Sequence, residues 1–65
     1  MIKAGEMICD VRNGRYIEPD ARCIDLKVWS CYVYNFTEDG DLEIDGKYSF
    51  YEYELKNMKR LAGIY

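Results

Sequence analysis

Through the middle of the chain, apolar and polar residues alternate with a period of two. From Trp29 to Leu55 the sequence reads WSCYVYNFTEDGDLEIDGKYSFYEYEL. Segments rich in aromatic and β-branched residues flank two turn signals, Glu38-Asp39-Gly40-Asp41 and Asp45-Gly46. Asp-Gly between such segments is the strongest short-range hairpin signal. A meander of at least three strands is therefore predicted. Residues 27–36 form the longest strand candidate and are apolar on both faces. Trp29, Cys31 and Val33 lie on one face, and Val28, Tyr32, Tyr34 and Phe36 on the other. A strand of this kind is central in its sheet or keeps one face for contact. Residues 41–45 alternate cleanly, which sets Leu42 and Ile44 inward and Asp41, Glu43 and Asp45 outward. Trp29, Val33, Leu42, Ile44 and Leu55 are the expected core.

Toward the ends the pattern weakens. Residues 6–12 read as a first strand with Met7, Cys9 and Val11 on one face, followed by a turn at Asn13-Gly14. Residues 15–25 contain the only proline, Pro19, and read as a loop. Two signals compete in the last third. Tyr48 and Phe50 share a strand face, yet Ser49-x-x-Glu52 fits a capping box. After it, Tyr51, Leu55, Met58 and Ala62 recur at helical spacing. Lys56, Lys59 and Arg60 lie near the end and Gly63 just beyond, as a helix C-terminus prefers. Either a short strand leads into a helix over residues 50–62, or a strand to Tyr53 passes through one helical turn (residues 54–57) into a last strand (residues 58–64).

At 65 residues the chain makes one small domain, residues 1–65, with little room for a deep pocket. A hydrophobic fraction of 49% and an aromatic fraction of 15% exclude a disordered chain. The net charge of -3 is unevenly placed. Residues 28–55 hold one lysine against seven acids, a local balance of -6, and Lys56, Lys59 and Arg60 follow. An acidic centre argues against phosphate-backbone binding there, which needs clustered Lys and Arg. Histidine, the commonest general base and metal ligand, is missing. The cysteines, Cys9, Cys23 and Cys31, are odd in number and form no Cys-x-x-Cys pair. Neither a disulfide framework nor a zinc knuckle is indicated. With no signal-peptide pattern and no apolar run near the ~20 residues of a membrane span, a reduced cytoplasmic setting is expected.

Residues 29–61 resemble the small SH3-like barrels, the Tudor-like variety among them. The features are Trp29 near the start of a long strand, the acidic turn at Asp39-Gly40, a short alternating strand and a second turn at Asp45-Gly46. An aromatic strand then runs into Glu54-Leu55-x-x-Met58. The resemblance implies a mainly β barrel of about five strands with a short helical turn. Leu55 would cap the barrel, Met58 would begin the last strand, and residues 15–25 would form the long first loop. The alternative fold is a three- or four-stranded antiparallel meander with a C-terminal helix at about residues 50–62.

Three constellations bear on function. Asp41-x-Glu43-x-Asp45-Gly46 followed by Glu52 approaches the spacing of a calcium loop. That motif needs a preceding helix, so an acidic hairpin that resists edge aggregation is the expected reading, with no metal and no cofactor. The rings Trp29, Tyr32, Tyr34, Phe36, Tyr48, Phe50, Tyr51 and Tyr53 include the types that cage a methylated ammonium in Tudor-like barrels. Most of them are expected to build the core, and the surplus to form a contact patch. The carboxylate pairs Glu52/Glu54 and Asp39/Asp41 lack a neighbouring base or nucleophile, so an enzyme is not expected. The expected function is non-enzymatic binding through Tyr32, Tyr34, Phe36, Glu38, Asp39, Asp41 and Glu43. The partner would be a larger protein with a basic or partly apolar site. The chain begins at Met1 without a linker or tail and reads as a complete small frame, of the kind that serves phages or mobile elements as an inhibitor of a host protein. The rival expectations are a nucleic-acid-binding SH3-like module and a homo-oligomeric structural subunit.

Overall fold

The computed structural model describes residues 1–23 and 25–63. Four strands, β1 (Ile8–Asp10), β2 (Arg15–Cys23), β3 (Val28–Phe36) and β4 (Leu42–Tyr51), precede one helix, α1 (Glu52–Leu61). The strands pair antiparallel in the order β1-β2-β3-β4, so β1 and β4 are the two edges of an open sheet. This is the meander with a C-terminal helix. The segment that the barrel would use as its last strand is helical from Met58 to Leu61. None of the helices of the described residues is long and apolar enough to cross a membrane.

Helix α1 starts where strand chemistry and capping chemistry meet. Tyr51 is the extended N-cap. Its N–H donates to the Glu54 carboxylate at 2.9 Å, two residues later than the Ser49/Glu52 box would place it. The first helical N–H, that of Glu52, donates to the Lys27 carbonyl at 2.9 Å, which ties the helix to the β2–β3 turn. Glu52 and Glu54 sit in the first turn and Lys59 and Arg60 in the last, in favourable order for the helix dipole. Gly63 follows with φ +77°, a left-handed conformation that favours glycine.

The helix covers one face of the sheet. Register places Ile8 beside Ile17 and Ile17 beside Val33, with Pro19 beside Cys31. These residues, with Trp29, Leu55 and Ile2 of the N-terminal segment, form the core, and Phe50 and Met58 pack against it. The N-terminal segment is held by Gly5, whose N–H donates to the Pro19 carbonyl at 2.8 Å. Lys59 holds it too, reaching Glu6 at 2.9 Å and the Met1 carbonyl at 3.0 Å. One buried acid, Asp10, accepts from Asn13 and Arg15, both at 2.9 Å. Burial pushes its carboxyl up, but those hydrogen bonds and the Arg15 charge outweigh burial and hold it below the usual range. Burial pushes the Cys31 thiol up to about 11, with a further push from Asp20.

Several sequence expectations are corrected here. Residues 15–25 are not a loop, because β2 occupies Arg15–Cys23. Pro19 is tolerated there beside a register shift between Pro19 and Ala21, where the strand departs from regular pairing. The first strand is shorter than residues 6–12 and has the other parity: Ile8 and Asp10 are buried, whereas Met7 and Val11 are exposed. Asp45-Gly46 is not a turn. It lies inside β4 at a bulge, since Val33 pairs with Gly46 while Tyr34 pairs with Ile44. The extra residue, Asp45, reverses the alternation. Gly46, Tyr48 and Phe50 fall on the helix side, and Leu42 and Ile44 on the opposite one. Leu42 is 44% exposed and Ile44 54%, so neither belongs to the core.

Leu55→Ala should lower stability by about 2–5 kcal/mol, as a buried truncation does, and Ile44→Ala by less than about 1 kcal/mol. Thermal and urea unfolding of both variants measures the contrast. Asp10→Asn tests the buried acid. A carboxyl depressed in the folded state stabilises above its unfolded pKa, near 4, and that stabilisation is lost as pH falls through the lower folded value. The variant should be less stable than the parent at pH 7, and the gap should close below about pH 4. Thiol titration with a disulfide reagent should modify exposed Cys23 in the native state and Cys31 only on unfolding.

Candidate functional site

The face of the sheet turned away from α1 carries a continuous set of rings and aliphatic side chains. Tyr16 pairs with Tyr34 and Tyr34 with Ile44, and Phe36 pairs with Leu42. Opposed residues of an antiparallel pair project to the same side. Tyr16 and Phe36 meet edge to face with ring centroids 5.4 Å apart. Phe36 is 53% exposed. Tyr16, Tyr32 and Tyr34 are half-buried, lying against one another and their neighbours.

Polar contacts order this face. The Tyr34 hydroxyl donates to Glu18 at 2.6 Å, which pushes its pKa up. Lys47 sits 4.9 Å from the Tyr32 ring centroid and donates to Asp20 at 3.0 Å. The bond to Asp20 pushes the Lys47 pKa up, outweighing burial. The bulge that turns Ile44 to this face is braced from the other side. The Tyr48 ring lies so close over Gly46 that a Cβ there would meet its Cε2 at 3.2 Å, and the Tyr48 hydroxyl donates to Asp45 at 3.2 Å.

At one end the β3–β4 hairpin closes through a tight turn. Thr37 N–H donates to the Asp41 carbonyl at 2.8 Å, Asp41 N–H to Thr37 Oγ1 at 3.1 Å, and Gly40 adopts φ +86°. Glu38, Asp39 and Asp41 are exposed in this turn. Among the described residues no ion pair reaches them or Glu43, whereas Glu6, Asp10, Asp20 and Glu52 are each paired with Lys or Arg.

Of the residues predicted from sequence, the structure brings Tyr32, Tyr34 and Phe36 together on the open face and sets Glu38, Asp39 and Asp41 at its end. Glu43 departs from the set: it pairs with Asn35 and projects toward the helix side. Tyr16, Glu18, Leu42, Ile44 and Lys47 belong to the surface and were missed. Period-two alternation of Tyr16 and Glu18 against Ile17 and Pro19 was the available signal for β2, hidden by the proline and the charged run after it. Nothing short of the bulge could have placed Leu42 and Ile44.

The other constellations are dispersed. Trp29 is 6% exposed in the core, Tyr51 and Tyr53 stack on each other at 5.6 Å, and the ring set forms no single cage. Asp41 precedes β4 and Glu52 follows it, so about 30 Å of strand separates the ends of the calcium-type spacing. Glu52 accepts from Arg22 and Trp29, and Glu54 from the Tyr51 N–H, so both carboxylates of that pair serve the helix start. The Trp29 bond holds Glu52 below its usual pKa, with help from Arg22 and Lys56 against burial.

Tyr34→Phe should lower the alkaline titration of this face by removing the hydroxyl raised by Glu18, leaving the fold intact; ultraviolet titration of tyrosinate measures it. No family model, no curated protein and no solved structure matches this chain.

Proposed function

We propose that this is a non-enzymatic binding protein that docks the open face of its sheet on a larger protein, covering a site there as an inhibitor does. One observation supports this above the others: Phe36, Leu42 and Ile44 stand together on the face away from the helix, between 44% and 54% exposed. Contiguous apolar surface of this kind marks interaction sites. The acids at its end carry no intramolecular partner among the described residues, so their charge is available to orient a basic surface and speed its approach. The matching site is therefore apolar at its centre and basic at one margin. Aromatic residues at the centre supply affinity, and rim charges supply on-rate.

The test is capture from a bacterial lysate with the immobilised protein, followed by titration of the purified partner against variants. Phe36→Ala and Ile44→Ala should weaken binding by about 1–3 kcal/mol while the domain stays folded, with Ile44→Ala losing less than about 1 kcal/mol of stability. Asp39→Lys should slow association, and less so at high salt. Undiminished binding by both apolar variants would exclude the open face.

A further inference from the structure

The segment before β1 is attached to the rest of the molecule at few points. Of residues 1–7 only Ile2 is buried, 5% exposed in the core; Glu6 is half-buried and the others are exposed. β1 begins at Ile8 and pairs with β2 no further than Ile17, so this segment adds no strand to the sheet. Its tethers come from distant parts of the chain. Gly5 N–H donates to the Pro19 carbonyl of β2 at 2.8 Å. Lys59 of α1 donates to the Glu6 carboxylate at 2.9 Å and to the Met1 carbonyl at 3.0 Å. The other bonds are internal: Lys3 N–H donates to Glu6 at 2.7 Å and Glu6 N–H to the Lys3 carbonyl at 3.4 Å, around Gly5 at φ +85°. We propose that residues 1–7 are a strap latched by Lys59, which opens as one unit while the sheet and α1 stay folded, and that its opening bares Trp29.

The internal bonds keep residues 3–6 in shape when the tethers let go, so the strap leaves as a body. Ordering each of its residues costs entropy. Against that cost stand one buried side chain, one backbone hydrogen bond to the sheet and a partly exposed ion pair. Closure therefore rests on a small margin beside the sheet, where β2, β3 and β4 pair along nearly their whole length. Segments so lightly held open before the whole domain unfolds. Beneath the strap, Met1 and Ile2 line one concavity with Arg22, Trp29, Glu52 and Lys56. Trp29 is 6% exposed, and its indole N–H donates to Glu52 at 3.3 Å, a bond in which the strap takes no part. Departure of Ile2 thus removes the cover of Trp29 and leaves its support in place. Neutralising either Lys59 or Glu6 loosens the latch and favours an apolar seat on the helix side of the sheet, away from the open face.

Native-state hydrogen exchange of the full chain at neutral pH tests the proposal. The Gly5 amide should exchange at least about a hundredfold faster than the slowest amides of β2 and β3, at a rate that urea leaves unchanged well below the unfolding midpoint. Lys59→Met keeps the aliphatic stem and removes the charge, and should speed exchange at Gly5 about fivefold. Ile2→Asp sets a charge in the core seat and should hold the strap open. Its far-ultraviolet circular dichroism should match the parent's, while emission from Trp29, the only tryptophan, moves to longer wavelength and becomes open to acrylamide quenching. Exchange at Gly5 that rises with urea in step with the slowest strand amides overturns the proposal. So does exchange at Gly5 unmoved by Lys59→Met, an Ile2→Asp chain that loses its strand and helix signal, or one whose Trp29 emission stays that of the parent.

Discussion

A sheet has two faces, and this chain has one helix with which to cover them. Leu55 is fully buried at the point where that helix meets the strands, beside Ile8, Ile17, Cys31 and Val33. Burying each such side chain is worth about 1.5–3 kcal/mol against a large entropic cost. With so few fully buried residues, the domain depends on keeping them all on one side. The N-terminal segment assists by adding Ile2, fastened by Lys59 across the sequence. Every apolar residue with the other parity is left to solvent or to a partner.

The bulge at Asp45 decides which residues those are. Regular pairing would set Leu42, Ile44, Gly46, Tyr48 and Phe50 on one face. The extra residue divides that run, sending Phe50 to the core and Ile44 to the open face. Gly46 permits the close approach of the Tyr48 ring, and Asp45 takes its hydroxyl. The bulge also lies on an edge strand, where irregular pairing and the charges of Glu43, Asp45 and Lys47 discourage unwanted strand addition. One local irregularity thus shapes both the exposed surface and the sheet edge.

Charge is apportioned in the same way. Around the helix and the covered face, acids and bases are matched: Asp10 with Arg15, Glu52 with Arg22, and Glu6 with Lys59. Only Asp10 among them is buried, and its two donors offset the cost of removing it from water. The β3–β4 turn, Thr37 to Asp41, has acids and no bases. Surface charges of this sort add little to stability, but they shape the field that an approaching protein meets.

Local signals were enough for the elements whose cause is local. Alternation through residues 27–36 marked β3 and both of its faces. Asn13-Gly14 and Asp39-Gly40 marked turns, and the helical spacing of Leu55, Met58 and Ala62 with Gly63 offered α1 as one of two readings, against a last strand from Met58. From β3 alone, Tyr32, Tyr34 and Phe36 could be named as one face of a strand too apolar to be buried twice. The rest depended on pairing. β2 was hidden because Pro19 and its charged neighbours read as a loop, and they are strand only because β3 runs beside them as a pairing partner, β1 reaching no further than Ile17. Asp45-Gly46 has the composition of a turn, and only its register against Val33 and Tyr34 makes it a bulge. Local composition thus specified a run of strands and an acidic hairpin, and offered a terminal helix as one of two readings of the last third, because propensity and capping act within a few residues. Tertiary pairing decided that Leu42 and Ile44 face outward beside Tyr34 and Phe36, because a strand's inward side is set by its neighbour's register.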